Sequence, residues 1–187
     1  DYAYAFKVKP DGTLVREWTA GNFERITGFT PEESEERGGW SKLIHPEDLP
    51  VAAKRAKRLL DNNLDTSEFR IIARDGSIRW LRDHGHPVWN ETQNRVIRIL
   101  GSVEDITERK HTEANLRQSE EAFRLLFENS LSAIAIHELV TDKAGKPVDY
   151  IFLNANHAFE QHTGLKLKDI KGCCVTREYG PVERAWI

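Results

Sequence analysis

Tyr2 to Val8 (YAYAFKV) and Thr13 to Thr19 (TLVREWT) alternate apolar and polar positions and are rich in aromatic and β-branched residues. With Lys9-Pro10-Asp11-Gly12 as turn chemistry between them, they predict a β-hairpin. Phe23 and Ile26 lie three apart before Gly28, which predicts a short helix stopped by a left-handed glycine. Thr30-Pro31-Glu32-Glu33 reads as a capping box with Pro at the first helical position, so a second short helix follows and ends by Gly38-Gly39. Val51 to Leu60 sets Val51, Ala52, Ala56, Leu59 and Leu60 on one face against Lys54, Arg55, Lys57 and Arg58, which predicts the longest helix of the first half. Ser67 to Arg74, Ser77 to Trp89 and Arg95 to Glu104 then form strands parted by Asp75-Gly76 and a polar stretch over 90–94. Strands, short helices and strands again give an α+β class, helices covering an antiparallel sheet.

The period becomes helical from Ile106 to Asn129, where Leu116, Phe123 and Leu126 form a narrow apolar stripe on a charged helix. Such a stripe suits a linker or a coiled-coil seam, and Glu113 with Arg117 and Glu120 with Arg124 are spaced as i,i+4 ion pairs. After this helix the opening pattern returns. Ala133 to Val140 and Tyr150 to Leu153 are strand-like around a turn over 142–147. Phe159-Glu160-Gln161-His162-Thr163-Gly164 repeats the F-E-x-x-T-G of Phe23 to Gly28 at an offset of 136. The repeat implies tandem domains, divided as 1–107, a linker helix over 108–130 and 131–187. By that offset Ile187 corresponds to position 51, so the second copy is expected to hold only the N-terminal half of the domain.

Composition narrows the function classes. The 187 residues are 39% hydrophobic and 30% charged, with Lys+Arg 27 against Asp+Glu 30, so no basic excess drives nucleic-acid or lipid-headgroup binding. Leu131 to Ile136 is far too short to span a bilayer, and no direct membrane contact is expected. Cys173 and Cys174 are adjacent and cannot staple distant segments, which makes a reducing, cytoplasmic setting the simpler expectation. A chain that opens at Asp1 and contains no Met reads as a fragment.

Four stretches in order carry a family resemblance. They are Phe23 to Glu33, Ile44-His45-Pro46-Glu47-Asp48, Arg74 to Trp80, and Gly101 followed by Asp105-Ile106-Thr107-Glu108-Arg109-Lys110. Residues 1–110 thereby resemble a PAS domain with its C-terminal PAC segment, and the second copy resembles the N-terminal half of one. The resemblance implies a five-stranded antiparallel sheet cupped by short helices, a pocket between them, and a sensory relay role upstream of an effector. That effector is most often a histidine kinase and sometimes a diguanylate cyclase.

Strand parity places Phe69 and Ile71 on one inward face and Ile97, Ile99, Gly101 and Val103 on another. Together with Phe23, Ile26, Trp40, Leu43, Ile44 and Leu59 they make the expected core and pocket, suited at most to a small, poorly charged ligand. Asp105, Ile106 and Thr107 sit where the last strand becomes the linker helix; Asp105 with Glu108 has capping spacing, and the resemblance implies that this junction relays strand movement. Haem-binding PAS domains usually take their axial His from the long helix, and 48–62 contains none. Light-sensing flavin relatives use a pocket cysteine, and the first copy has none. The cofactor stays open. His45 precedes Pro46 as a loop residue, and His84 and His86 share a strand face without a third ligand, so no metal site is expected. No nucleophile, base and orienter occur together, so no enzyme activity is expected in this segment. A homodimer is expected through Leu116, Phe123 and Leu126 and through the unpaired strands of the second copy. A ligand-free dimerisation scaffold and the sensory region of a diguanylate cyclase stay open as alternatives.

Overall fold

The computed structural model describes residues 1–174, which form two compact units, Asp1–Glu113 and the remainder from Ala114. In the first, β1 (Tyr2–Val8) and β2 (Leu14–Gly21) make the opening hairpin; α1 (Phe23–Thr27), α2 (Pro31–Glu36) and α3 (Leu49–Leu60) follow, and β3 (Asp65–Ile72), β4 (Ile78–Asn90) and β5 (Arg95–Asp105) complete it. The sheet is antiparallel in the order β2-β1-β5-β4-β3, so the first strand pairs with the last. Single 3-10 turns at Trp40–Leu43 and Pro46–Asp48 connect α2 to α3.

Local chemistry explains these elements. The hairpin closes through Lys9 and Thr13, with Gly12 at φ 84 and the Asp11 carboxylate accepting the Thr13 N–H. Thr30 and Glu33 form the reciprocal capping box of α2. Gly28 ends α1 at φ 76, and an added Cβ would stand 2.8 Å from Cβ of Arg74, so turn and close approach both require glycine. The core joins Tyr4, Val8, Phe23, Ile26, Phe29, Leu43, Leu59, Phe69, Ile71, Leu81, Val96, Ile99 and Val103 between sheet and helices.

Three sequence expectations need correction. Arg55, set on the polar face of α3, is buried at 4% exposure, whereas Val51 from the apolar face is 40% exposed; the inward face of α3 is Ala52, Arg55, Ala56 and Leu59. Ile97 is only half-buried. A register shift between Val88 and Trp89 breaks the alternation of β5 and turns Val96 inward instead. Along α4 (Thr107–Asn129) the ion pair formed among the described residues is Arg109 with Glu113, one turn before the expected pairs.

The second unit carries β6 (Ala135–Thr141), β7 (Pro147–Ala155), α5 (His157–Thr163) and α6 (Leu167–Ile170), with β6 and β7 as a two-stranded sheet. The repeated motif repeats its bonding as well. Thr27 Oγ1 donates to the Phe23 carbonyl and accepts from Phe29 N–H, while Thr163 Oγ1 donates to the Phe159 carbonyl and accepts from Leu165 N–H. Gly164 matches Gly28 at φ 75. Phe152 and Ile170 are buried, with Phe159, Tyr150, Leu165 and Leu167 against them, whereas Ile134 and Ile136 are more than a third exposed.

Candidate functional site

Two glycines shape the interior of the first unit. Gly85 and Gly101 are register partners on the inward face of β4 and β5. A Cβ on Gly101 would fall 2.2 Å from Cζ of Tyr4, and one on Gly85 would fall 2.6 Å from Nη2 of Arg55. The missing side chains leave a notch in the sheet that the Tyr4 ring and the Arg55 guanidinium fill. There Arg55 Nη2 lies 2.7 Å from Asp83 Oδ1 and donates to the Tyr4 hydroxyl at 2.9 Å. Tyr4 in turn donates to Asp83, 3.0 Å from Oδ1 and 3.2 Å from Oδ2. Asp65 at the start of β3 stands 3.8 Å from Arg55 Nε and 3.3 Å from Arg58 Nε.

Burial dominates the electrostatics of this cluster. It pushes the Asp83 carboxyl up to about 6 against the pull of Arg55 and the Tyr4 hydrogen bond. It likewise raises the Tyr4 phenol, and Asp83 adds to that. Desolvation opposes the Arg55 charge, but Asp83, Tyr4 and Asp65 together outweigh it and keep the guanidinium protonated. The arrangement anchors α3 to the sheet through charge.

Beside the cluster lies a cavity with about 20 Å³ of room, enough for one water. Its walls are Tyr2, Tyr4, Phe6, Phe23 and Trp40, with Arg16, Thr19, Pro31, Ser34, Glu35 and Asp83 between them. Ser34 Oγ and Arg16 Nε are buried there without a hydrogen-bond partner. Of the pocket residues expected from sequence, Phe23 and Trp40 line this cavity and Gly101 is covered by Tyr4. Ile26, Leu43, Ile44, Leu59, Phe69, Ile71, Ile99 and Val103 are buried elsewhere in the unit, and Ile97 is displaced by the bulge.

A second constellation lies where β5 passes into α4. Asp105 Oδ1 accepts from both the N–H and the hydroxyl of Thr107, and Thr107 Oγ1 accepts the Trp80 N–H at 2.9 Å. Ile106, fully buried, donates its N–H to the Trp80 carbonyl. The cap is thus an Asx turn onto Thr107 that is tied to β4, rather than a pairing of Asp105 with Glu108. One turn on, Lys110 Nζ lies 2.7 Å from Glu68 and 5.2 Å from the centre of the Trp80 ring. Lys110 and Arg82 together hold the Glu68 carboxyl below its ordinary value. The expected stripe beyond is exposed, Leu116 at 59%, Phe123 at 54% and Leu126 at 75%, while Phe127 is buried.

In the second unit Asn156, fully buried, uses its whole amide. Oδ1 accepts from Ile134 N–H and Phe159 N–H, and Nδ2 donates to the carbonyls of Phe127 and Ser132. His45 and His84 make only local bonds. His45 Nδ1 accepts the Glu47 N–H, and His84 Nδ1 pairs with the Thr66 hydroxyl on the outer face. No cluster of three metal-ligating side chains occurs among the described residues.

Residues 17–103, from β2 through most of β5, match the family model described as PAS fold. The first unit is a PAS domain. A blue-light-activated histidine kinase of Brucella ovis is 29% identical over 137 residues, which is 70% of this chain and 27% of that protein. The chain thus spans about a quarter of the relative it matches. The crystal structure of a sensory box histidine kinase/response regulator from Burkholderia thailandensis aligns with TM-score 0.50 and 28% identity, covering 66% of this chain and 92% of that one. The PAS domain is therefore a sensor domain of the kind used in signal transduction. No described helix is long and apolar enough to cross a membrane.

Proposed function

We propose that the chain is the tandem PAS sensory and relay region of a cytoplasmic signalling protein, most plainly a sensor histidine kinase, working as a homodimer through α4. The observation that carries this reading is the knot at Asp105, Ile106 and Thr107, which makes β4 and the start of α4 move as one. A change in the interior reaches β4 through Asp83 and leaves through Trp80, three residues away on the same strand. The second unit, with its repeated F-E-x-x-T-G bonding, acts in this reading as the start of a second PAS domain that receives the helix.

Blue-light activation belongs to the Brucella relative. The first unit here has no cysteine to bond a flavin, and a cavity with room for one water does not take an isoalloxazine ring unless wall residues such as Tyr4 and Trp40 move. A second reading, a dimerisation scaffold with a filled interior, draws on that same small cavity.

Hydrogen–deuterium exchange tests the relay. Asp105→Ala should speed exchange of the amides at 107–110 at least about tenfold, since the first turn loses its cap, while β1 and β2 stay protected. Unchanged exchange at those amides would remove the junction from the reading. The dimer has its own measurement. Wild type should sediment as a concentration-dependent dimer, and the double substitution Leu116→Asp and Phe123→Asp should leave a monomer; a wild-type monomer at every concentration rules the dimer out.

A further inference from the structure

We infer that the buried cluster between α3 and the sheet is a proton switch: protonation of Asp83 releases Arg55 from β4, and Arg55 turns its Nε–H onto Asp65 of β3. The inference deepens the sensory reading above by naming a signal, the proton, and rests on that reading only for its output.

Charge counting carries it. Arg55, Asp65 and Asp83 are all buried, so two carboxylates meet one guanidinium inside the unit. Burial favours the neutral form of an acid, and a second carboxylate nearby adds to that, so one of the two is set to take a proton. Their neighbours decide which. Asp65 has Arg58 at 3.3 Å and the Ser67 hydroxyl as well as Arg55. Asp83 has Arg55 and the Tyr4 hydroxyl. Its wider surroundings supply no further cation on the inner side. Tyr2 and Glu35 share its cavity, Arg16 there is matched by Glu32 and Glu35, and β5 opposes it with Val103. His84 pulls the other way from the outer face of the same strand, but burial is the largest influence, and the Asp83 carboxyl stands at about 6.

The second arrangement is already half built. Arg55 Nε is buried without a hydrogen-bond partner and stands 3.8 Å from Asp65 Oδ1, too far for a bond. An unmet buried donor is costly, so Nε closes on Asp65 once Asp83 no longer holds the other end of the guanidinium. Protonated Asp83 is satisfied without Arg55. Its new O–H donates to the Tyr4 hydroxyl, taking the place of Arg55 Nη2, which donates there at 2.9 Å. The proton has a way in, since Asp83 lines a cavity with room for one water. The two arrangements tie α3 to different strands, and β4 is the strand whose Trp80 is bonded into the start of α4.

NMR of the whole chain between pH 8 and pH 5 tests the switch. The side-chain carboxyl carbon of Asp83 should titrate with a midpoint of about 6. The Arg55 Nε–H should shift with the same midpoint, and its exchange with solvent should slow about tenfold on the acid side as it gains an acceptor. Asp83→Asn, neutral at every pH, should show the acid-side Arg55 signal already at pH 8. Asp65→Ala leaves Arg55 nowhere to turn and should abolish the slowing. Because imidazoles also take up protons, His84→Gln is the control, and both responses should persist in it. The switch is overturned if the Asp83 carbon does not titrate in this range, if the Arg55 Nε–H does not follow it, if the slowing survives Asp65→Ala, or if either response vanishes in His84→Gln. The relay is read separately, at the amides of 107–110. A silent Asp83 with the Asp105→Ala response intact ends this inference alone, whereas an intact Arg55 response with a failed Asp105→Ala test keeps the switch and removes the relay.

Discussion

Replacing Arg55 with Met is expected to cost about 3–5 kcal/mol at neutral pH, the range found when one partner of a buried ion pair is removed. The methionine fills much of the same space, so the loss comes from charge. Asp83 then stands buried with the Tyr4 hydroxyl against it, and Asp65 keeps Arg58 and the Ser67 hydroxyl. The pH dependence identifies the cause. The Asp83 carboxyl already lies at about 6 in the folded protein, above the ordinary value of an unfolded Asp, and without Arg55 it must rise further. A raised folded value means that the native state binds the proton more tightly than the unfolded chain, so this group adds stability as pH falls. The deficit of Arg55→Met relative to wild type should therefore shrink between pH 8 and pH 5. Urea unfolding at several pH values measures it, and a gap that stays constant or widens toward acid would refute the charge account.

Gly101→Ala should be nearly as damaging, by roughly 3 kcal/mol, though it adds only a methyl group. That methyl would lie 2.2 Å from Tyr4 Cζ and 2.4 Å from its Oη, so the ring must leave the notch and give up its bonds to Asp83 and Arg55. Overpacking and lost hydrogen bonds act together here. A double-mutant cycle isolates the clash. Once Tyr4→Ala has emptied the notch, adding Gly101→Ala should cost less than about 1 kcal/mol more. Full additivity of the two substitutions would show that Gly101 is needed for some reason other than the ring of Tyr4. Gly101→Leu should leave no cooperatively folded domain.

These two positions also show where sequence reading stopped. Elements whose cause is local were legible. Lys9 to Gly12, Thr30 with Glu33, and Phe23 to Gly28 carry their bonding partners within a few residues, so hairpin, capping box and helix stop could each be read in place. Arg55 could not. Its burial depends on Asp83 and Tyr4, 28 and 51 residues away, and on a notch formed by two glycines that meet only once β4 and β5 pair. The helical wheel placed it by residue type alone, among the lysines. Gly101 was legible as an inward-facing position of its strand, but the ring that covers it was not. Ile97 was misplaced because parity assumes an unbroken strand, and the shift at Val88 and Trp89 leaves no mark in residue type. Asn156 carried a usable signal, an Asn three residues before Phe159, but its position in the first copy is Ala20, so the repeat itself gave no hint.

Asn156 has a consequence for how the chain can vary. One planar amide reaches the Phe127 carbonyl, the Ser132 carbonyl, the Ile134 amide and the Phe159 amide, groups drawn from the helix end, the loop, the strand approach and the next helix. Those groups can converge on a single side chain only if the segment from Phe127 to Ile134 has one length. A residue inserted there would pull at least one group out of reach and leave it buried without a partner. The turn at Asp142 to Lys146 has no such constraint, since its own Asp142 carboxylate closes it on the exposed side. Relatives that keep this asparagine should therefore vary in length at the second turn and hardly at all between the linker helix and the first strand of the unit it enters.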